Sequence, residues 1–110
     1  MEDKRKILQT FTQDVINELG DSVKKIILYG SYARGDYNAQ SDMDIMILTK
    51  LHPNEIREIE NTIYDIAFEF QMSEGVMISV NIVNEEQFNY WLGALPYYDN
   101  VAKEGIVLAG

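Results

Sequence analysis

A chain of 110 residues is long enough for one hydrophobic core and short for two, so a single domain over residues 1–110 is expected. Apolar residues make up 46%, which sets the chain apart from disordered sequences, and no run approaches the ~20 apolar residues of a membrane span. The net charge of −9, with nine scattered basic residues, argues against a broad nucleic-acid surface and favours divalent cations or basic partners.

The start, Met1-Glu2-Asp3-Lys4-Arg5, is charged and lacks the apolar centre of a signal peptide. There is no cysteine for disulfides or thiolate metal sites, and a cytoplasmic location is the expectation. Over residues 3–19, Ile7, Leu8, Phe11, Val15, Ile16 and Leu19 form a helical stripe, with Gly20 at its C-cap. Lys25 to Tyr29 reads as a buried strand, Ser31 to Gly35 as a turn or brief helix, and Tyr37 to Gln40 as a polar loop. Met43 to Thr49 reads as a second strand. Pro53 opens a helix striped by Ile56, Ile59, Ile63, Ile66, Ala67 and Phe70, ending near Gly75. Val76 to Val83 alternates as a third strand. Asn84 caps a further helix with Gln87 at its third position, in a capping-box arrangement. Pro96 starts a last helical turn through Val101, closed by Gly105, before a short strand from Ile106 to Leu108. This order predicts an α/β (α+β) fold, a small mixed sheet packed against helices mainly on one face.

The chemistry lies between the first two strands. Gly30 lets the backbone turn sharply, and the amides after it, with the Ser31 hydroxyl, suit anionic oxygens. A lone Gly-Ser pair also serves many ordinary turns. Asp42 and Asp44 stand two apart, so in a strand they share a face with Cα atoms ~6.5–7 Å apart. Two carboxylates so placed suit Mg²⁺, which takes one or two carboxylates plus substrate phosphates. An isolated pair of this kind is more often a solvated strand edge.

The joint pattern carries more. Gly30-Ser31, Arg34-Gly35, a five-residue loop, then Ser41-Asp42, Asp44 and Ile47 resemble the signature of the DNA polymerase beta-like nucleotidyltransferase superfamily. The likeness is greatest to its minimal nucleotidyltransferases, single small domains, and the element order extends it over nearly the whole chain. The resemblance implies the nucleotidyltransferase fold, with Gly30, Ser31, Arg34 and Ser41 binding the nucleotide. It implies Asp42 and Asp44 as catalytic residues and ligands of two Mg²⁺ ions, or Mn²⁺. An NTP, ATP first, would donate its nucleoside monophosphate to a hydroxyl and release pyrophosphate. Relatives of this size pair as antitoxins with helical HEPN-type partners, so a HEPN-type protein is the implied partner.

The family also carries a third carboxylate on the strand read here as Val76 to Val83. Ser79 and Asn81 are the polar residues on the relevant face, and Ser79 best matches its position. Asn81 offers a neutral oxygen; Asp36 and Glu69 would supply charge only if the fold brought them close. An alternative function therefore stands beside catalysis: a weak or inactive module that scaffolds or neutralises a partner. His52, the single histidine, reads as a surface loop residue, and Glu85-Glu86 as the first turn of a helix. Tyr32 and Tyr37 read as loop packing, and Trp91, Leu92, Leu95, Tyr97 and Tyr98 as mostly core.

Overall fold

Nearly every residue of one strand, Met43–Thr49, is buried, and the rest of the molecule is arranged around it. The computed structural model describes the backbone of residues 2–110 and the side chains of residues 4–110. In chain order the elements are α1 (Glu2–Leu19), β1 (Val23–Tyr29), α2 (Ser31–Arg34), β2 (Met43–Thr49) and α3 (Pro53–Glu74). They continue with β3 (Ile78–Asn84), α4 (Glu85–Trp91), α5 (Pro96–Glu104) and β4 (Ile106–Ala109). The sheet order is β3-β2-β1-β4. β2 runs antiparallel to β1 and parallel to β3, and β4 is antiparallel to β1. A parallel pair needs a long crossover, and α3 supplies it.

The period of two along β2 divides its side chains between two clusters. Met43, Ile45 and Ile47 join Ile26, Leu28, Ile78 and Ile82 beneath the apolar stripes of α1 and α3. Met46 and Leu48 face the other way, with Ile27, Val83, Phe88 of α4 and Val101 of α5. Helices thus lie on both faces, α1 and α3 on one and α4 and α5 on the other. This departs from the expectation of helices mainly on one face, because Phe88 and Val101 each carry an apolar side chain onto the second.

Local chemistry explains the boundaries. Gly20, at φ 57°, ends α1 and begins a 3₁₀ turn through Ser22. His52 is the residue before Pro53 at the head of α3, and its amide donates to Glu55 Oε1 at 3.0 Å. Asn84 caps α4 by accepting from the Gln87 amide at 3.1 Å, while its own amide donates to the Leu51 carbonyl at 2.8 Å. β3 starts two residues later than predicted; before it, the Met77 carbonyl accepts from the Met43 amide at 2.9 Å. The expectation that the segment from Trp91 to Tyr98 is mostly core is corrected. Trp91, Leu92, Leu95 and Tyr97 are each more than a third exposed, because α4 stops at Trp91 and the chain turns away at Gly93. Only Tyr98 of that group packs against the second cluster. No helix of the described residues is long and apolar enough to cross a membrane.

Candidate functional site

Strand register sets Asp44 beside Ser79, with Asn81 one step further along β3. Tyr29 on β1 pairs with Asp44 on β2, and Ser79 on β3 pairs with Asp44 from the other side. Paired positions share a face, so Tyr29, Asp44 and Ser79 make a row across the sheet, with Met46 and Asn81 one step further along. Asp42 precedes the first residue of β2 and lies outside the strand.

Gly30 follows Tyr29 directly. Its φ of 74° and ψ of −153° lie in a region open essentially to glycine alone. A Cβ at this position would run into the Asp44 carboxylate. The Gly30 carbonyl then accepts from the Arg34 amide at 3.0 Å and starts the single turn of α2. The first amides of such a turn have no partner inside the helix. The result is a cleft of about 370 Å³ lined by Tyr29, Gly30, Ser31, Arg34 and Asp44 on one side and by α5 on the other. A larger hollow of about 550 Å³ between α1 and β4 contains no acidic side chain.

Charges in and beside the cleft perturb one another; Asp44 lines the cleft and Asp42 is not among its lining residues. Asp44 is held above the usual carboxylate range, first by burial and then by the charge of Asp42, with Arg34 acting in the opposite sense. The Tyr29 phenol is pushed well above its usual range by burial, by its hydrogen bond to Tyr97 and by Asp44, so it keeps its proton. Tyr32 is raised by burial, then by Tyr37 and Asp42; its ring stacks on Tyr37 with centroids 4.2 Å apart, and it is buried, as loop packing requires.

The remaining predicted residues have defined surroundings. Arg34 is held by two carboxylates: its Nε donates to Asp36 at 3.2 Å and its Nη1 to Glu104 at 3.3 Å. The Ser41 hydroxyl accepts from the Asn38 amide at 2.9 Å, so it closes the loop rather than lining the cleft. Ser79 is exposed beside Asp44. Asn81 donates through Nδ2 to the Tyr97 hydroxyl at 3.0 Å, and that hydroxyl lies 2.8 Å from the Tyr29 hydroxyl. Sequence reasoning did not place Tyr29, Asn100 or Glu104 in the site, and it assigned Tyr97 to the core. The signal for α5 was its spacing, since Tyr97, Asn100, Val101 and Glu104 fall on one helical face.

The donor set fits a hard cation in part. Asp44 is raised first by burial and then by the charge of Asp42, a penalty that a divalent ion relieves, and phosphate oxygens could complete the ion's shell. No group of three acidic or histidine side chains gathers as a metal cluster among the described residues. Asp36 is paired with Arg34, and Glu69 is exposed on α3, so neither supplies the third carboxylate.

Comparison with known proteins bears on this arrangement. The family model described as a nucleotidyltransferase domain matches residues 5–108. MJ0604 of Methanocaldococcus jannaschii, provisionally named a protein adenylyltransferase, is 32% identical over 105 residues, covering 96% of this chain and 97% of its own. MJ0141 of the same organism, named in the same provisional way, is 38% identical over 73 residues, covering 66% of this chain and 72% of its own. A solved structure with the provisional name of minimal nucleotidyltransferase aligns with a TM-score of 0.57 at 21% identity, covering 96% of this chain and 92% of that one. A toxin–antitoxin crystal structure with AMP-PNP aligns with a TM-score of 0.54 at 19% identity, covering 93% of this chain and 73% of that one. At these identities the two structures show a shared fold.

Proposed function

The chain belongs to the nucleotidyltransferase domain family, and we propose that it moves a nucleoside monophosphate from a magnesium-bound NTP, ATP first, to a hydroxyl on a HEPN-type partner protein, as an antitoxin. The observation that carries this reading is the contact between Gly30 and Asp44: the phosphate-type turn and the acid meet with no room for a side chain between them. The Gly30-Ser31 turn and the amides after it would hold the phosphates. Asp42 and Asp44 would hold the metal, two Mg²⁺ ions or Mn²⁺, which when bound neutralises phosphate charge. The acceptor oxygen would bond to the α-phosphorus as the bond from that phosphorus to the oxygen bridging to the β-phosphate breaks, pyrophosphate would leave with that oxygen, and the hydroxyl proton would pass to water.

Support for the donor comes from the provisional name of MJ0604 and from the AMP-PNP in a fold neighbour. Support for the partner comes from the toxin–antitoxin assembly of that neighbour and from the resemblance in sequence. The open cleft also leaves room for an acceptor from another chain. The test is incubation of the protein with labelled ATP, Mg²⁺ and a HEPN-type protein. Label is expected on the HEPN-type protein and is lost in Asp44→Ala. No transfer to the HEPN-type protein, with ATP bound, overturns this proposal.

A second reading is favoured by one observation: a serine, not an acid, stands beside Asp44 on β3. On that reading the cleft binds a nucleotide or nothing, and the chain scaffolds its partner. Ser79→Asp separates the two. It supplies a third acid, and a catalytic site should gain about tenfold or more in transfer rate. A scaffold should retain partner binding in Asp42→Ala plus Asp44→Ala and gain no activity from Ser79→Asp.

A further inference from the structure

Arg34 is the one basic side chain among the residues lining the cleft, and it is already engaged by two acids. Asp36 is its neighbour in the loop and takes Nε. Glu104 arrives from the far side of the cleft, in the last turn of α5, and takes Nη1. That position disfavours a carboxylate, because the C-terminal end of a helix carries partial negative charge. The compensation visible for Glu104 is the Arg34 guanidinium. Both partners of this ion pair are more than a third exposed, so water screens it and it is weak. A phosphate, with more charge and bidentate geometry, is the stronger partner for a guanidinium.

We propose that Glu104 acts as a built-in competitor of the nucleotide: it occupies the edge of Arg34 that a phosphate would take, and so sets the affinity of the cleft for an NTP. The inference rests on the reading of the cleft as a nucleotide site. Glu104 is then a positioning residue that acts through Arg34. Asp36 keeps Nε in either state, so the guanidinium stays in the cleft while its other edge changes partner. Binding of an NTP would free the Glu104 side chain from Arg34, which ties nucleotide occupancy to a residue of the helix that walls the site.

The opposite role, a brace that merely holds α5 in place, makes the opposite prediction, and one substitution separates them. AMP-PNP binding in the presence of Mg²⁺ is measured by calorimetry on the wild type, Glu104→Gln, Arg34→Ala and the double variant. Thermal melts check that each remains folded. Competition predicts binding about two- to fivefold tighter in Glu104→Gln, the range that an exposed ion pair allows. The gain shrinks or vanishes in the Arg34→Ala background. Unchanged or weaker binding in Glu104→Gln, while the wild type binds, overturns the competitor and leaves the cleft reading intact. A gain of equal size without Arg34 overturns the route through the guanidinium. Absence of AMP-PNP binding in every form removes the nucleotide reading and the competitor with it.

Discussion

The two faces of the sheet use the same strands and differ in how they are finished. On one, Met43, Ile45 and Ile47 of β2 are fully buried under two long helices, in a layer whose cluster is apolar, with the buried threonines Thr12 and Thr49 as its polar members. On the other, Met46 and Leu48 are covered by two short helices, while Asp44, two residues before Met46, is left partly open beside Tyr29 and Ser79. A single strand thus supplies both scaffold and site, because successive side chains point opposite ways. The difference shows where a cleft can form: on the face whose cover stops short, backed by a face whose cover is complete.

The largest expected effects test that division directly. Ile47→Ala, in the complete layer, should destabilise by about 2–5 kcal/mol in chemical denaturation. Met46→Ala, equally buried but in the smaller cluster, should fall near the lower end of that range, about 2 kcal/mol. Equal losses would mean that the faces differ in chemistry but not in energetic weight. Gly30→Ala comes next. Its backbone conformation costs about 1–3 kcal/mol for a residue with a Cβ, and the added methyl must displace the Asp44 carboxylate. A folded variant that has lost AMP-PNP binding is expected by calorimetry; retained binding would separate the turn from the site.

Much of the first face was legible in the sequence, and less of the second. The limits of β2, Met43 to Thr49, follow from an apolar run bounded by polar residues, and the structure has the same limits. The stripes of α1 and α3 follow from the helical period, and Ile7, Leu8, Phe11, Val15, Ile56 and Ile63 are buried as that period requires. The alternation of β3 put Ser79 on the face of Asp44, and the register sets the two side by side. What α5 does was not legible. The Arg34–Glu104 pair joins residues 70 apart, and nothing in local periodicity reports such a contact. Nor did the aromatic content of the stretch after Phe88 show that Trp91 and Leu92 lie beyond the edge of a small cluster.

A pH experiment sharpens the contrast at Asp44 itself. Its folded-state pKa is raised, first by burial and then by Asp42. Below the ordinary carboxylate range the folded and unfolded states both hold the proton, so Asp44 has no effect on stability there. As pH rises through that range the unfolded state releases its proton first, and the penalty on folding grows until pH exceeds the folded pKa, above which it stays at its full value. Asp44→Asn removes the penalty. Without metal, the variant should melt higher than the wild type at neutral pH, and the gap should close as pH falls below the ordinary carboxylate range. Added Mg²⁺ should raise the wild-type melting temperature and leave Asp44→Asn unchanged. A lower melting temperature for the variant at neutral pH without metal would mean that Asp44 is held by stabilising contacts instead.

The smallest expected effect is at Tyr97, and it decides whether the open face is held together as a core is. Its hydroxyl receives the Asn81 amide and meets the Tyr29 hydroxyl, which makes a polar layer over the sheet. Tyr97 is 39% exposed, so water can replace the lost bonds in Tyr97→Phe, and the ring contact with Tyr29 survives. The stability loss should then be about 0.5 kcal/mol, at the low end for a hydrogen bond. The same substitution frees the Asn81 amide to turn its oxygen toward the cleft, so transfer activity should shift while stability barely changes. A loss on the scale of Ile47→Ala would show instead that the polar layer carries the second face as the apolar layer carries the first, and the division between scaffold and site would fail.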